Sequence, residues 1–177
     1  RWKSKTIQVS GATGDWRSAV NRWPTVGFSH MGSPPSLGSG IEIVGYDDVG
    51  GACGQASMSW WNSGKMASCK IRINSNIDNM SCGPQGSTMT HEVGHCIGVF
   101  THTTDGGIMD SGSAGSNGQI SGPIKRMIKL LYSLSPGTNI SSRLSSASLM
   151  RQSGSSQYEP NGTRLIYGGT LVTLEHQ

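Results

Sequence analysis

The stretch T-H-E-V-G-H-C-I-G at residues 90–98 is the most informative part of this chain. On a helix, His91 and His95 lie one turn apart on the same face, where two neutral imidazoles can bind one zinc ion. Glu92 lies about 100° further around the helix, so its carboxylate can reach a water beside the metal without being a ligand. With 5 His and 4 Glu in 177 residues, about 0.003 matches to H-E-x-x-H are expected by chance. The motif therefore predicts a metal site with a general base.

The neighbouring residues support a helix that packs on a core. The helix face opposite the histidines is apolar: Met89, Val93 and Ile97. Gly94 is unfavourable inside a helix, which indicates close packing at that point or an approach to the metal. Gly98 comes where the chain can leave the helix in a left-handed conformation and turn back toward the metal.

Read together with His102 and with G-G-I-M-D at residues 106–110, the stretch resembles the metzincin clan of zinc endopeptidases. The pattern of that clan is H-E-x-x-H-x-x-G-x-x-H followed by a methionine turn, and its short bacterial members carry an H-E-I-G-H core. The resemblance implies that His91 and His95 are zinc ligands and that Glu92 is the general base. It also implies that Met109 packs beneath the metal.

The chain departs from the clan pattern at the third histidine. The expected position is Thr101, and the histidine is His102, one residue later. We predict that His102 is the third ligand, brought into place by a one-residue bulge after Gly98. Asp105 is the rival ligand, since some related enzymes use aspartate. In a third alternative His102 is free, and water or substrate completes the site.

The remaining sequence predicts an α+β fold. Alternating or apolar segments predict strands at residues 6–10, 41–46, 55–61 and 68–74, and helical periodicity predicts helices at residues 16–23, 87–98 and 121–134. The resemblance implies a twisted mixed sheet with a backing helix, a zinc-binding helix, and a small C-terminal subdomain with the methionine turn and a terminal helix. It covers residues 1–135, with an upper part at 1–98 and a lower part at 99–135. Residues 136–177 are predicted to be a Ser-rich segment and a hairpin of unknown role.

The cysteine count predicts two disulfides and secretion. The four cysteines are Cys53, Cys69, Cys82 and Cys96, and none forms a C-x-x-C pair. In a small chain rich in Gly and Ser, an even count favours an oxidising compartment. We expect a processed, extracellular protein with Cys53–Cys69 and Cys82–Cys96 pairs, because each closes a short loop. The alternative is four reduced buried thiols.

Charge and hydropathy argue against nucleic-acid binding and membrane insertion. The net charge of +4 comes from scattered basic residues, so no nucleic-acid module is expected, and no apolar run is long enough for membrane insertion. Asp47 and Asp48 beside Gly50-Gly51 are a candidate Ca²⁺ site or a plain acidic turn. We expect a monomer that acts on peptide or protein substrates, with a propeptide or a proteinaceous inhibitor as a further candidate partner.

The sequence thus predicts a secreted zinc-dependent endopeptidase, in which zinc holds a water and Glu92 takes the proton of that water. One alternative is a zinc-bearing binding or toxin-like module with little or no hydrolytic activity, which the displaced His102 favours. Another is a structural or carbohydrate-binding secreted domain, which the Trp, Gly and Ser content favours. The intact Glu92 argues against the first alternative, and Met109 argues against the second.

Overall fold

The computed structural model describes residues 1–110 and 118–135, and the backbone of two short strands at residues 165–167 and 170–172. The elements in chain order are β1 (Thr6–Ser10), α1 (Gly14–Val20), β2 (Gly27–Met31), β3 (Gly40–Asp47), β4 (Gly54–Trp60), β5 (Met66–Asn74), a 3₁₀ turn (Ile77–Asn79), α2 (Gln85–Ile97), α3 (Gly122–Ser133), β6 (Leu165–Tyr167) and β7 (Thr170–Val172). The predicted α+β class is confirmed.

The first five strands form one mixed sheet with the order β2-β1-β3-β5-β4. Neighbouring strands run parallel except for β4, which is antiparallel to β5 and forms one edge of the sheet. The alternation predicted for β5 is present, since Cys69, Ile71 and Ile73 are buried while Lys70 is exposed. One face of this strand therefore belongs to the core and the other to solvent.

The helix α2 lies in the centre of the core, with every residue from Ser87 to Ile97 buried. Two tryptophans hold its backbone, because the indole N–H of Trp23 donates to Thr90 O at 2.8 Å and that of Trp2 donates to Cys96 O at 2.7 Å. Polar residues inside this helix are tolerated where they find partners, as the Thr90 hydroxyl does with Gly86 O at 2.8 Å. The helix is therefore a fixed platform for the side chains it carries.

The structure differs from the sequence prediction at β2 and at the end of α1. The sequence pattern predicts no strand at Gly27–Met31, yet this segment pairs in parallel with β1 along its whole length. The strand is stabilised by pairing with β1, which lies about 20 residues earlier in the chain. The sequence of the segment itself therefore gives little indication of a strand. The helix α1 ends at Val20, before Pro24 was expected to end it, and Trp23 enters the core from the following turn.

The predicted number of disulfides is confirmed, but the predicted pairing is wrong. The bonds are Cys53–Cys82 and Cys69–Cys96, with Cα–Cα distances of 5.8 and 5.7 Å. Cys82 precedes α2 and Cys96 lies in its last turn, so fourteen residues of mostly helical chain hold them about 20 Å apart. Cys69 lies opposite Met58 of β4, whereas Cys53 precedes the other end of that strand. Both predicted pairs are thus geometrically excluded.

The C-terminal part is described only in outline. β6 and β7 pair antiparallel, as expected for the hairpin predicted at residues 164–174. The predicted Ser-rich segment lies outside the described residues. Within the residues that are described, no helix is both long and apolar enough to cross a membrane.

Candidate metal centre

The H-E-V-G-H motif lies in the second half of α2, where helical spacing puts His91 and His95 on one face. The helix ends at Gly98, whose φ of 118° is left-handed and favours glycine. The N–H groups of Gly98 and Val99 return to the carbonyls of His95 and Gly94, which closes the helix end. Beyond this turn the chain comes back beside the two histidines.

The returning segment brings His102 to the pair on α2. The Nε2 atom of His91 lies 3.0 Å from Nε2 of His102 and 3.1 Å from Nε2 of His95. The candidate ligand atoms of the three residues all lie within 4.8 Å of one another. His102 therefore lies with the helical pair although it comes one residue later than the clan pattern has it. The loop at residues 99–101 contains the additional residue.

Backbone carbonyls set the orientation of two of the imidazoles. His91 Nδ1 donates to Ile108 O, and His95 Nδ1 donates to Val99 O, each at 2.7 Å. These bonds place the ring proton on Nδ1 and leave a lone pair on each Nε2, as is usual for histidine ligands. Lone pairs that face one another repel unless a cation or a proton lies between them.

These three residues fit a metal ion. Nitrogen ligands at about 2.0–2.1 Å from a tetrahedral metal lie about 3.3 Å apart, close to the separations of 3.0 and 3.1 Å seen here. His91 and His95 are buried and His102 is partly exposed. The group could thus hold a metal ion with one side open.

Burial keeps the three imidazoles neutral. It lowers the pKa of His91 to about 4, against the opposing effects of Ile108 O and the Asp110 carboxylate. Burial and the neighbouring His91 lower the pKa of His95 well below its usual value, and burial lowers that of His102. Neutral imidazole is the form that binds a metal.

Glu92 lies beside this group but is separate from it. Its side chain is buried, at 6% exposure. Burial raises its pKa to about 8, and a hydrogen bond from the backbone N–H of Ala56 lowers it in part. A carboxylate in this environment is a better proton acceptor than one in water.

The segment predicted to form a methionine turn packs against α2. Thr103 N donates to Met109 O at 2.7 Å, and Ile108 N donates to Gln119 O at 2.7 Å, which fixes the turn between two segments. The Met109 sulfur and the Trp23 ring lie against α2 at Gly94, where a Cβ would have no room. The close packing expected at Gly94 is therefore present, and it comes from Met109 and Trp23.

Asp105, the rival third ligand, does not join the histidines. Its Oδ1 atom accepts hydrogen bonds from the Thr103 hydroxyl at 2.8 Å and from Gly107 N at 3.0 Å. These bonds hold the turn that carries Met109. The carboxylate therefore has a local structural role.

At the candidate calcium site, the carboxylates of Asp47 and Asp48 also bind groups of the protein itself. Asp47 Oδ2 pairs with Arg72 Nε at 3.0 Å, and Asp48 Oδ1 accepts from Gly50 N at 2.9 Å. Among the described residues, the three histidines are the one group of His, Cys, Asp or Glu arranged to hold a metal ion. The alternative of a plain acidic turn fits these contacts better.

Sequence reasoning missed the backbone atoms that complete this site. Ile108 O and Val99 O orient the imidazoles, and Ala56 N bonds the Glu92 carboxylate. A main-chain group carries no residue-type signal, so the sequence offered no means of finding these three atoms.

No model of a known protein family matches the chain, and no curated protein is significantly similar to it.

The low pKa of the histidines predicts how bound metal responds to acid. A histidine whose pKa is lower in the folded than in the unfolded state favours folding above about 6.5, and this stability is lost as pH falls toward the folded pKa. We expect metal to stay bound from pH 8 to about 5, and to leave as the protein unfolds between about pH 5 and 4. Metal content after desalting, measured beside circular dichroism, tests this. Release near pH 6.5 from folded protein would contradict it.

Proposed function

We propose that the protein is a zinc-dependent endopeptidase of metzincin type. The observation that carries this proposal is the convergence of three imidazoles, with a buried carboxylate on the helix that provides two of them. A structural metal site has no need of that carboxylate. A hydrolytic site needs it, because an attacking water must lose a proton.

The proposed metal is zinc. Three neutral imidazoles with one open side are the ligand set of catalytic zinc sites, whereas structural zinc sites have four protein ligands. Calcium and magnesium prefer oxygen ligands, so a set of three nitrogens disfavours them. Zinc bound there would polarise a peptide carbonyl and make a coordinated water more acidic.

Glu92 is the proposed proton acceptor and donor. Its carboxylate takes the proton of the attacking water and delivers it to the leaving nitrogen of the cleaved bond. Its position next to His91 on the helix puts it beside the ligands without making it one. Burial raises its pKa to about 8 in the metal-free protein, and a divalent cation held by the neighbouring imidazoles would lower it and favour the carboxylate form that accepts a proton.

Met109 has no chemical part in this scheme. It packs under α2 at Gly94, between the two helical ligands. It thereby supports the backbone that carries His91 and His95.

The proposed substrate is an extended peptide. β4 is the edge strand of the sheet on the side of α2, and its residues Gly54 and Ala56 adjoin Glu92. An edge strand can pair with an added strand through main-chain hydrogen bonds, which suits substrates of varied sequence. We also propose that the protein is secreted, because its two disulfides are typical of oxidising compartments.

The proposal is tested by cleavage of an unfolded protein such as casein. We expect the zinc-loaded protein to cleave it, the chelated protein to lose at least 99% of the rate, and stoichiometric zinc to restore it. The control is circular dichroism of the chelated sample, which separates loss of metal from loss of fold. Cleavage that persists after verified metal removal would contradict the proposal.

A zinc-loaded protein that cleaves nothing would favour the alternative, a zinc-bearing binding module. That alternative was suggested by the displaced spacing of His102. The Nε2 atoms of His91 and His102 lie 3.0 Å apart, so the displaced spacing of His102 no longer favours that alternative.

A further inference from the structure

The edge strand β4 lies directly against the side chain of Glu92. Ala56 N–H donates a hydrogen bond to the carboxylate. A Cβ built on Gly54 would lie 3.0 Å from both Cγ and Oε1 of Glu92, and 2.9 Å from the Thr88 methyl. The backbone of Gly54 is outside the left-handed region. A larger residue at this position would therefore meet a lack of space and not an unfavourable backbone conformation.

Two disulfides, a hydrogen bond to Cys53 and the pairing with β5 hold β4 in this place. Cys53, just before Gly54, is bonded to Cys82, three residues before α2 begins. The Cys53 carbonyl also accepts from Asn74 N at 2.9 Å. At the other end of α2, Cys96 is bonded to Cys69 on β5, the strand that pairs with β4. The distance between β4 and α2 is thus fixed near both ends of the helix.

We propose that Gly54 and the Ala56 N–H are positioning elements for Glu92. The N–H holds one carboxylate oxygen, and the missing side chain at residue 54 leaves the space that this orientation needs. The inference rests on the proposed function, in which Glu92 transfers the proton. Displacing a reacting group by about 1 Å costs up to about 10²-fold in rate, so a methyl group at residue 54 is enough to test it.

The variant is Gly54→Ala, and the matched control is Gly51→Ala. Gly51 lies three residues earlier, also outside the left-handed region, and a Cβ there meets nothing within 4 Å. We expect Gly54→Ala to lower kcat about 10- to 10²-fold, with KM within about twofold and one zinc bound per chain. Gly51→Ala should keep kcat within about twofold.

A second background separates positioning from general damage to the fold. In Glu92→Ala protein the two Glu92 atoms that a Cβ at residue 54 would meet are gone, so Gly54→Ala should not lower the residual rate further. Its effect on the melting temperature should also be smaller there than in the wild type. The Thr88 methyl is present in both backgrounds, so the effect of its contact with a Cβ at residue 54 cancels when the two are compared.

The inference is overturned if Gly54→Ala has the kcat of Gly51→Ala. It is also overturned if Gly54→Ala lowers the rate by the same factor with and without Glu92. If zinc-loaded wild type cleaves nothing, the proposed function has failed, and the inference is tested by melting temperatures instead. It is overturned if Gly54→Ala lowers the melting temperature equally in wild-type and Glu92→Ala protein. A smaller decrease in Glu92→Ala protein supports the contact between residue 54 and Glu92.

Discussion

Replacing Glu92 with glutamine is expected to lower kcat for peptide hydrolysis by roughly 10²–10⁴-fold while zinc stays bound. Glutamine keeps the size of the side chain and an oxygen that can accept the hydrogen bond from Ala56 N–H. It cannot take a proton from the attacking water. The expected loss is therefore in the chemical step, with KM changed little.

The same substitution should not weaken the fold. Burial raises the pKa of Glu92 to about 8, so between about pH 4.5 and 8 the folded state binds more protons than the unfolded state at this residue. Stability from this group consequently falls as pH rises through that window. Glutamine removes the effect, and chelated Glu92→Gln should melt at a temperature equal to or above that of chelated wild type at pH 7.5.

The matched control is Glu42→Gln. Glu42 pairs with Lys70 at 3.0 Å on the solvent-facing side of the sheet, where both side chains are partly exposed. An exposed pair contributes little to stability, so this variant should cleave as fast as the wild type. Kinetics at matched zinc content test the pair of variants. Full activity in Glu92→Gln would show that another group takes the proton.

Replacing His102 with alanine is expected to weaken zinc binding by more than about 10²-fold. Loss of a contact that only orients a ligand already costs about 10- to 100-fold in metal affinity, and His102 contributes an imidazole nitrogen 3.0 Å from that of His91. Two neutral imidazoles would remain, too few to complete a catalytic site. Activity should disappear at zinc concentrations that saturate the wild type.

Two variants distinguish a lost ligand from other effects. Asp105→Asn alters the rival ligand, whose carboxylate holds the turn at Thr103 and Gly107; its zinc affinity should stay within about threefold of wild type. His30→Ala removes a histidine on β2, at the opposite edge of the sheet from β4, and should bind zinc normally. Competition with a chromophoric chelator measures all three. Wild-type affinity in His102→Ala, or its loss in Asp105→Asn, would refute this ligand assignment.

The local sequence pattern was sufficient to predict that the two helical histidines and Glu92 lie on one helix. It also predicted most of the strands and helices around them. His91 and His95 share a face because the helix repeats every 3.6 residues. The alternation at Cys69, Ile71 and Ile73 placed β5 because side chains alternate along a strand. These periodicities act over a few residues, so they can be recognised without knowledge of the fold.

Tertiary structure alone decided the remaining features. His102 joins the site because the turn after Gly98 brings it back, although its spacing differs from the clan pattern. The disulfides join residues 29 and 27 positions apart, because helix α2 holds Cys82 away from Cys96 and strand β4 holds Cys53 away from Cys69. The groups that orient His91 and Glu92 are main-chain atoms of Ile108 and Ala56. Main-chain atoms are the same in every residue, so only the fold determines which of them reach the site.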